Sequence, residues 1–188
     1  AGAGADFDTS TFTGVETLNA TKGTSAYLKA AATTDVNVSG ITGTVEVNGG
    51  KNVVVTDAKA AVVLDNAKGN VTVTDATQAD DIIINDGVNV TVTATSAVDS
   101  GVITIGGETN NALTGEEGNA TGDVVVTANL NSDGVADVIG GAINVTGGKT
   151  VTVNVNSTIV STTKEPMSEA DASNKGDITN GHISITGD

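Results

Sequence analysis

The stretch Val45-Glu46-Val47-Asn48-Gly49-Gly50-Lys51-Asn52-Val53-Val54-Val55 decides how the rest of the chain is read. Val45 and Val47, then Val53 and Val55, step by two residues, the period that sends side chains to one face of a strand. Asn48-Gly49-Gly50 between them is a turn former. The same two-residue step recurs at Val62 and Leu64, Val71 and Val73, Ile82 and Ile84, and Val90 and Val92. Asp57-Ala58-Lys59, Asp65-Asn66, Asp75-Ala76 and Asn85-Asp86-Gly87 punctuate these steps. No amphipathic helix stands out, and the β-branched content opposes one. The alternation also sets aside disorder, which the abundance of Gly, Thr, Ser, Asn and Asp would otherwise suggest. An all-β chain is expected.

Repeats narrow the architecture. Gly101-Val102-Ile103-Thr104-Ile105-Gly106-Gly107 returns forty residues later at Gly141-Ala142-Ile143-Asn144-Val145-Thr146-Gly147, and again at Gly181-His182-Ile183-Ser184-Ile185-Thr186-Gly187. The opening stretch itself reappears as Ile143-Asn144-Val145-Thr146-Gly147-Gly148-Lys149-Thr150-Val151-Thr152-Val153. Short, evenly spaced strands admit a repetitive β-solenoid, of the parallel β-helix kind, or a β-sandwich. A sandwich core about 10 Å thick usually needs some large side chains, whereas stacked Val, Ile, Leu, Ala and Thr fill a narrow solenoid. The solenoid is favoured, although Asn-Gly-Gly and Thr-Gly-Gly would also suit hairpins. Residues 1–35 read as a capping or linking segment. Residues 36–188 read as the repetitive region, with loop insertions at 108–121, 129–140 and 156–175.

Composition excludes more than it proposes. The 188 residues carry 23 acids against 8 bases, a net charge of −15, and every base is Lys. Such a surface repels phosphate backbones and anionic lipid, so nucleic-acid binding is not expected. No apolar run reaches the length of a membrane span, and the Ala1-Gly2-Ala3-Gly4 start lacks a basic region followed by an apolar one. Membrane insertion is therefore not expected. Without an initiator Met, the chain reads as a piece of something longer. No Cys, no Trp and a single His leave little for nucleophilic catalysis or His-based metal sites. His182 has no Cys or nucleophile-elbow motif to join, and paired carboxylates would lack aromatic rings to hold a sugar. No enzyme is expected.

The chemical feature with most content is a carboxylate following successive strand cores: Asp57, Asp65, Asp75 and Asp86, with Asp80 and Asp81 before the last of these strands. Calcium takes six to eight oxygens, so acids from neighbouring turns of a stacked structure can share an ion. Turn capping by Asp through its own backbone explains each of them singly. Asn131-Ser132-Asp133-Gly134-Val135-Ala136-Asp137 spaces oxygens around a Gly, which adds Asp133 and Asp137 as candidate ligands. It lacks the closing Glu of an EF-hand loop and reads first as a turn. Glu116-Glu117 reads as a solvated acidic tip. Outward positions alternate among Thr72, Thr91, Thr93, Thr152 and Asn154, and apolar Val54, Val63, Ile83 and Val125 are candidate contacts for another copy. Read along the chain, Thr, Glu, Asn and Val mix too irregularly for a threonine-ranked ice-binding face.

Phe12-Thr13-Gly14-Val15-Glu16-Thr17-Leu18-Asn19, Asp86-Gly87-Val88-Asn89-Val90-Thr91-Val92 and Gly141 to Val153 resemble type I-secreted surface-layer proteins of Gram-negative bacteria, of the Caulobacter kind. The resemblance covers roughly Phe12 to Ser157. It implies an extracellular protein of the bacterial cell surface that assembles with copies of itself into a lattice, with calcium as its ion. Members usually carry Gly-Gly-x-Gly-x-Asp calcium repeats and a module that grips cell-surface polysaccharide. Neither is recognisable here, so on this reading polysaccharide is held by regions outside the chain. The expected function is a structural segment of a surface-layer lattice or extracellular fibre. The alternative is an adhesin or stalk that binds glycan or a host surface through its loops.

Overall fold

The computed structural model describes residues 5–77, 80–96, 100–107, 118–132, 137–159 and 178–187. The described residues form strands and irregular connections and include no helix. One sheet, here sheet A, has eight strands: β1 (Ala5–Asp8), β3 (Ala26–Ala30), β5 (Val45–Gly49), β7 (Val62–Ala67), β9 (Ile82–Asp86), β11 (Ile103–Ile105), β14 (Ile143–Thr146) and β17 (Ile183–Thr186). Sheet B has seven: β2 (Thr17–Thr21), β4 (Asp35–Ser39), β6 (Val53–Thr56), β8 (Val71–Thr77), β10 (Val90–Ser96), β12 (Asp123–Ser132) and β15 (Thr150–Ile159). The chain visits the two sheets alternately, and every strand pair is parallel. Each coil therefore contributes one strand to each sheet, and the coils stack into a β-solenoid. Parallel pairing excludes the sandwich built from hairpins, because two-residue loops join only antiparallel strands.

Hydrogen-bonding register explains the repeats. Ala26, Val45, Val62, Ile82 and Ile103 occupy one position in successive coils and are 19, 17, 20 and 21 residues apart. Ile103, Ile143 and Ile183 are direct neighbours too, so the forty-residue period is one coil enlarged by an insertion. Val45 and Ile143 hold this same position on sheet A, four coils apart.

Two-residue alternation fills the space between the sheets with stacked rows. Val45, Val47, Val62, Leu64, Ile82, Ile84, Ile103 and Ile105 from sheet A meet Val36, Val38, Val53, Val55, Val71, Val73, Val90, Val92, Val124 and Val126 from sheet B, all at most 1% exposed. The narrow gap accepts aliphatic side chains of nearly one size. The two Phe and the Tyr lie outside this core, at 49%, 55% and 42% exposure for Phe7, Phe12 and Tyr27.

Side chains as well as backbone tie the corners together. Where sheet A hands over to sheet B, Asp35, Asn52, Asn70, Asn89 and Asp123 form a ladder. Asn52 donates its side-chain amide to Asp35 (2.9 Å), Asn70 N–H donates to Asn52 Oδ1 (3.0 Å), Asn89 Nδ2 to Asn70 Oδ1 (2.9 Å), and Asp123 N–H to Asn89 Oδ1 (2.9 Å). Tight corners need left-handed backbone, which Gly supplies without strain. Gly148, at φ +87°, also abuts Val124 and Val151, where a Cβ would come within 2.9 Å of Val124 Cγ2. At the first coil Ser10 donates its N–H and hydroxyl to Asp8 Oδ1 (2.8 and 2.6 Å), and these bonds, the hydroxyl's first, hold that carboxyl below its usual value.

Three expected boundaries move. Residues 1–35 already contain β1, β2 and β3 paired into the two sheets, so they build coils. β12 continues to Ser132 and β15 to Ile159, so the strands run into the segments expected to start as loops at 129 and 156. Both extensions keep in-register pairing over ten residues, from Asp123 opposite Thr150 to Ser132 opposite Ile159, and that ladder outweighs their polar composition.

Two measurements check this packing. Leu64→Ala removes a fully buried side chain from the middle of the stack and should lower unfolding free energy by about 2–5 kcal/mol in urea titration. Gly141→Ala should also destabilise strongly, because its Cβ would lie 1.9 Å from Gly101 O in the preceding coil. Melting by circular dichroism should show a lower midpoint for Gly141→Ala, whereas Gly14→Ala, with open space around it, should show only the smaller penalty of its left-handed backbone.

Candidate functional site

Among the described residues, the outer face of sheet B is the most regular surface. By register, Asn19, Asn37, Val54, Thr72, Thr91, Val125 and Thr152 form one row along the solenoid axis. A second row runs Thr21, Ser39, Thr56, Thr74, Thr93, Thr127 and Asn154, with one bulge between β8 and β10. Asn37 Nδ2 donates to Asn19 Oδ1 (3.0 Å) and Asn156 Nδ2 to Asn129 Oδ1 (2.9 Å), so amides bridge coils on the surface as they do at the corner. Neither row contains a charge, in a chain of net charge −15. Asp35 and Asp123 mark the edge of this face and belong to the corner ladder.

Sheet A is different. Its outward row runs Tyr27, Glu46, Val63, Ile83, Thr104, Asn144 and Ser184, beside Lys29 and Asn48. The irregular mixture seen along the sequence thus comes from reading two faces as one. Glu46 belongs to sheet A, and sheet B keeps hydroxyls, amides and methyls. The four apolar outward residues divide likewise: Val63 and Ile83 are neighbours on sheet A, whereas Val54 and Val125 share a row on sheet B with Thr72 and Thr91 between them. They do not form one patch.

The candidate acids distribute over both edges of the solenoid. Asp57 lies where sheet B returns to sheet A, at φ +56°, ion-paired with Lys59, and its N–H donates to Thr74 O (3.0 Å). Asp75 is in β8 at the same corner, one coil on. Asp80 and Asp81 are exposed in the following connection, and Asp81 Oδ1 accepts the N–H of Val102 at 2.8 Å across to the next coil. Asp65 and Asp86 sit at the opposite corner, Asp65 buried and Asp86 half-buried at φ +71°. Asp137 is exposed just before β13 (Val138–Ile139), which pairs with β16 (Ile178–Thr179) in a small separate sheet. Asp133, Glu116 and Glu117 lie outside the described residues. Among the described residues, no three of Asp, Glu, His or Cys converge as a metal cage. Asparagines that the linear sequence does not place near Asp65 stand beside it. Asn48 and Asn85 flank Asp65 on the outward side of sheet A, and only the register reveals it.

His182 is exposed immediately before β17, and its carbonyl accepts the N–H of Ile143. Much of the three expected insertions lies outside the described residues, at 108–117, 133–136 and 160–177. The latter two leave from the same edge, after β12 and β15, and β13 pairing with β16 ties their ends together. At the first coil a cleft of about 760 Å³ opens over Leu18, Ala20, Ala26 and Leu28 beside Phe7. At the last coil the core row ends with Ile183 and Ile185, 44% and 52% exposed. Comparison with protein families, curated proteins and solved structures finds no match to this chain.

Asp81 offers a clean separation of capping from metal binding. Asp81→Ala should cost about 1 kcal/mol by loss of the Val102 bond, equally in calcium and in chelator, when stability is measured in urea under both conditions.

Proposed function

We propose that the chain is a structural segment of a secreted bacterial cell-surface protein that associates with copies of itself in a surface-layer lattice or extracellular fibre, with calcium as its ion. The observation that carries this reading is the uncharged face of sheet B. Like-charged molecules of net charge −15 repel wherever acids face each other, and this face is where two copies meet without that penalty. Its size argues for many weak contacts. Seven strands at about 4.8 Å and five residues at about 3.3 Å make a face of roughly 550 Å², below the ~800 Å² per partner of a stable pair. Repetition in a lattice multiplies such contacts through effective concentration.

Light scattering and negative-stain imaging across a calcium titration, from chelator to several millimolar, test the reading. Sheets or fibres that dissolve on chelation are expected, and a monomer indifferent to calcium removes the lattice. The double substitution Thr56→Glu, Thr127→Glu puts charge on sheet B in non-adjacent coils and should abolish assembly with less than about 1 kcal/mol of lost stability. The regular threonine row also favours a second use of this face, as a rigid array facing ordered water. Freezing hysteresis of the wild-type monomer, lost in the same double variant, would replace self-association by ice binding. That the two longest strands, β12 and β15, end together at one edge favours the adhesin alternative, for which glycan binding by a monomer is the deciding result.

A further inference from the structure

The corner between sheets A and B around Asp65 has a feature that capping does not explain. By alternation Asp65 and Asn85 follow the core residues Leu64 and Ile84 and lie on the outward side, yet they are 5% and 4% exposed. Asn48, Asp65 and Asn85 stand in line along three successive coils, with a bulge that sets Asp65-Asn66 against Asn85. Asp65 Oδ2 accepts the amides of Asn48 (3.2 Å) and Asn66 (3.3 Å), both long for bonds to a carboxylate. Asn85 Oδ1 is buried and accepts no hydrogen bond. One residue on, the Asp86 carboxylate lies under the chain at Gly118, where a Cβ would come within 2.6 Å of its Cγ. Two carboxylates and an unsatisfied carbonyl oxygen thus lie at this one corner in adjacent coils.

We propose that Asp65, Asn85 and Asp86 bind one divalent cation of calcium's size at this corner. A cation takes the place of a hydrogen-bond donor and needs oxygen lone pairs, which a buried acceptor without a donor supplies. Size selects among ions. Neighbouring coils are about 4.7–4.9 Å apart, and oxygens on opposite sides of calcium are about 4.6–5.2 Å apart, whereas magnesium draws them to about 4.0–4.2 Å. Side chains from adjacent coils therefore span calcium without drawing the coils together, and water completes its coordination. The proposal deepens the calcium part of the function above and rests on it for the ion's identity, but it requires no self-association.

Calorimetry of the full chain, stripped with chelator and titrated with calcium chloride or magnesium chloride, tests it. A saturable site is expected that favours calcium by about tenfold or more. Asp65→Asn should abolish that site, and Asn85→Ser should weaken it about tenfold while the stripped protein melts no lower than wild type. Asp57→Asn, at the opposite corner, should leave it intact. Should Asp65→Asn fail to fold, Asn85→Ser and Asp86→Asn carry the test. The proposal falls if no saturable calcium heat appears, if these variants bind as wild type, or if magnesium binds equally. In the first case Asn48, Asp65 and Asn85 are a plain hydrogen-bond ladder with the Asn85 amide turned toward Asp65. A chain that binds the ion and stays monomeric sustains the site while defeating the lattice.

Discussion

Everything in this molecule depends on parallel coils stacking in register. Each strand inside the stack bonds to the coil before and the coil after, so a residue's neighbours are its counterparts 17 to 21 positions away in the shorter coils. An inward position must then suit the same position above and below it. Val36, Val53, Val71, Val90 and Val124 satisfy this as a single row of one residue type, with the backbones held at strand spacing. A larger ring in such a row would force its neighbours apart, which accounts for a core without aromatics. The same demand places left-handed backbone at the corners, where Gly49, Asn66, Asp86 and Gly106 turn the chain out of sheet A.

Stacking also decides where variation is tolerated. Coils of 40 residues between Ile103, Ile143 and Ile183 keep their strands in the same register as the shorter coils. Polar side chains follow the same logic. Asn and Asp at a corner can bond along the axis to the next coil, giving the ladder from Asp35 to Asp123, whereas hydroxyl residues occupy the face of sheet B. The result is a separation of charge: acids gather at the corners and on sheet A, leaving one face neutral. That separation underlies both proposals. A neutral face permits contact between acidic molecules, and a corner rich in oxygen attracts a cation.

Much of the fold was legible because its signal is local. Val45 and Val47 alternate with Glu46 and Asn48 for a steric reason that operates within one strand, and the aliphatic uniformity of such pairs already separated a thin core from a thick one. The Gly-x-Ile pattern at Gly101, Gly141 and Gly181 was legible as well, since the clash awaiting any Cβ there confines those positions to glycine. The extents of β12 and β15 were not legible. Asn129, Asn131 and Asn156 look like loop residues until each is set beside its partner in the adjacent coil.

That the chain is β, that its core is thin and aliphatic and that it carries a large negative charge all follow from side-chain period, size and ionisation, which can be read along the chain. Which residues stand side by side came from the stacking of the coils. It put Glu46 on one face and the threonines on the other, sent Asp57 and Asp65 to opposite corners, and set Asn48 and Asn85 on either side of Asp65. Register between coils is a long-range choice made by the packing of whole rows, and coil lengths that vary from 17 to 40 residues conceal it from any reading along the chain.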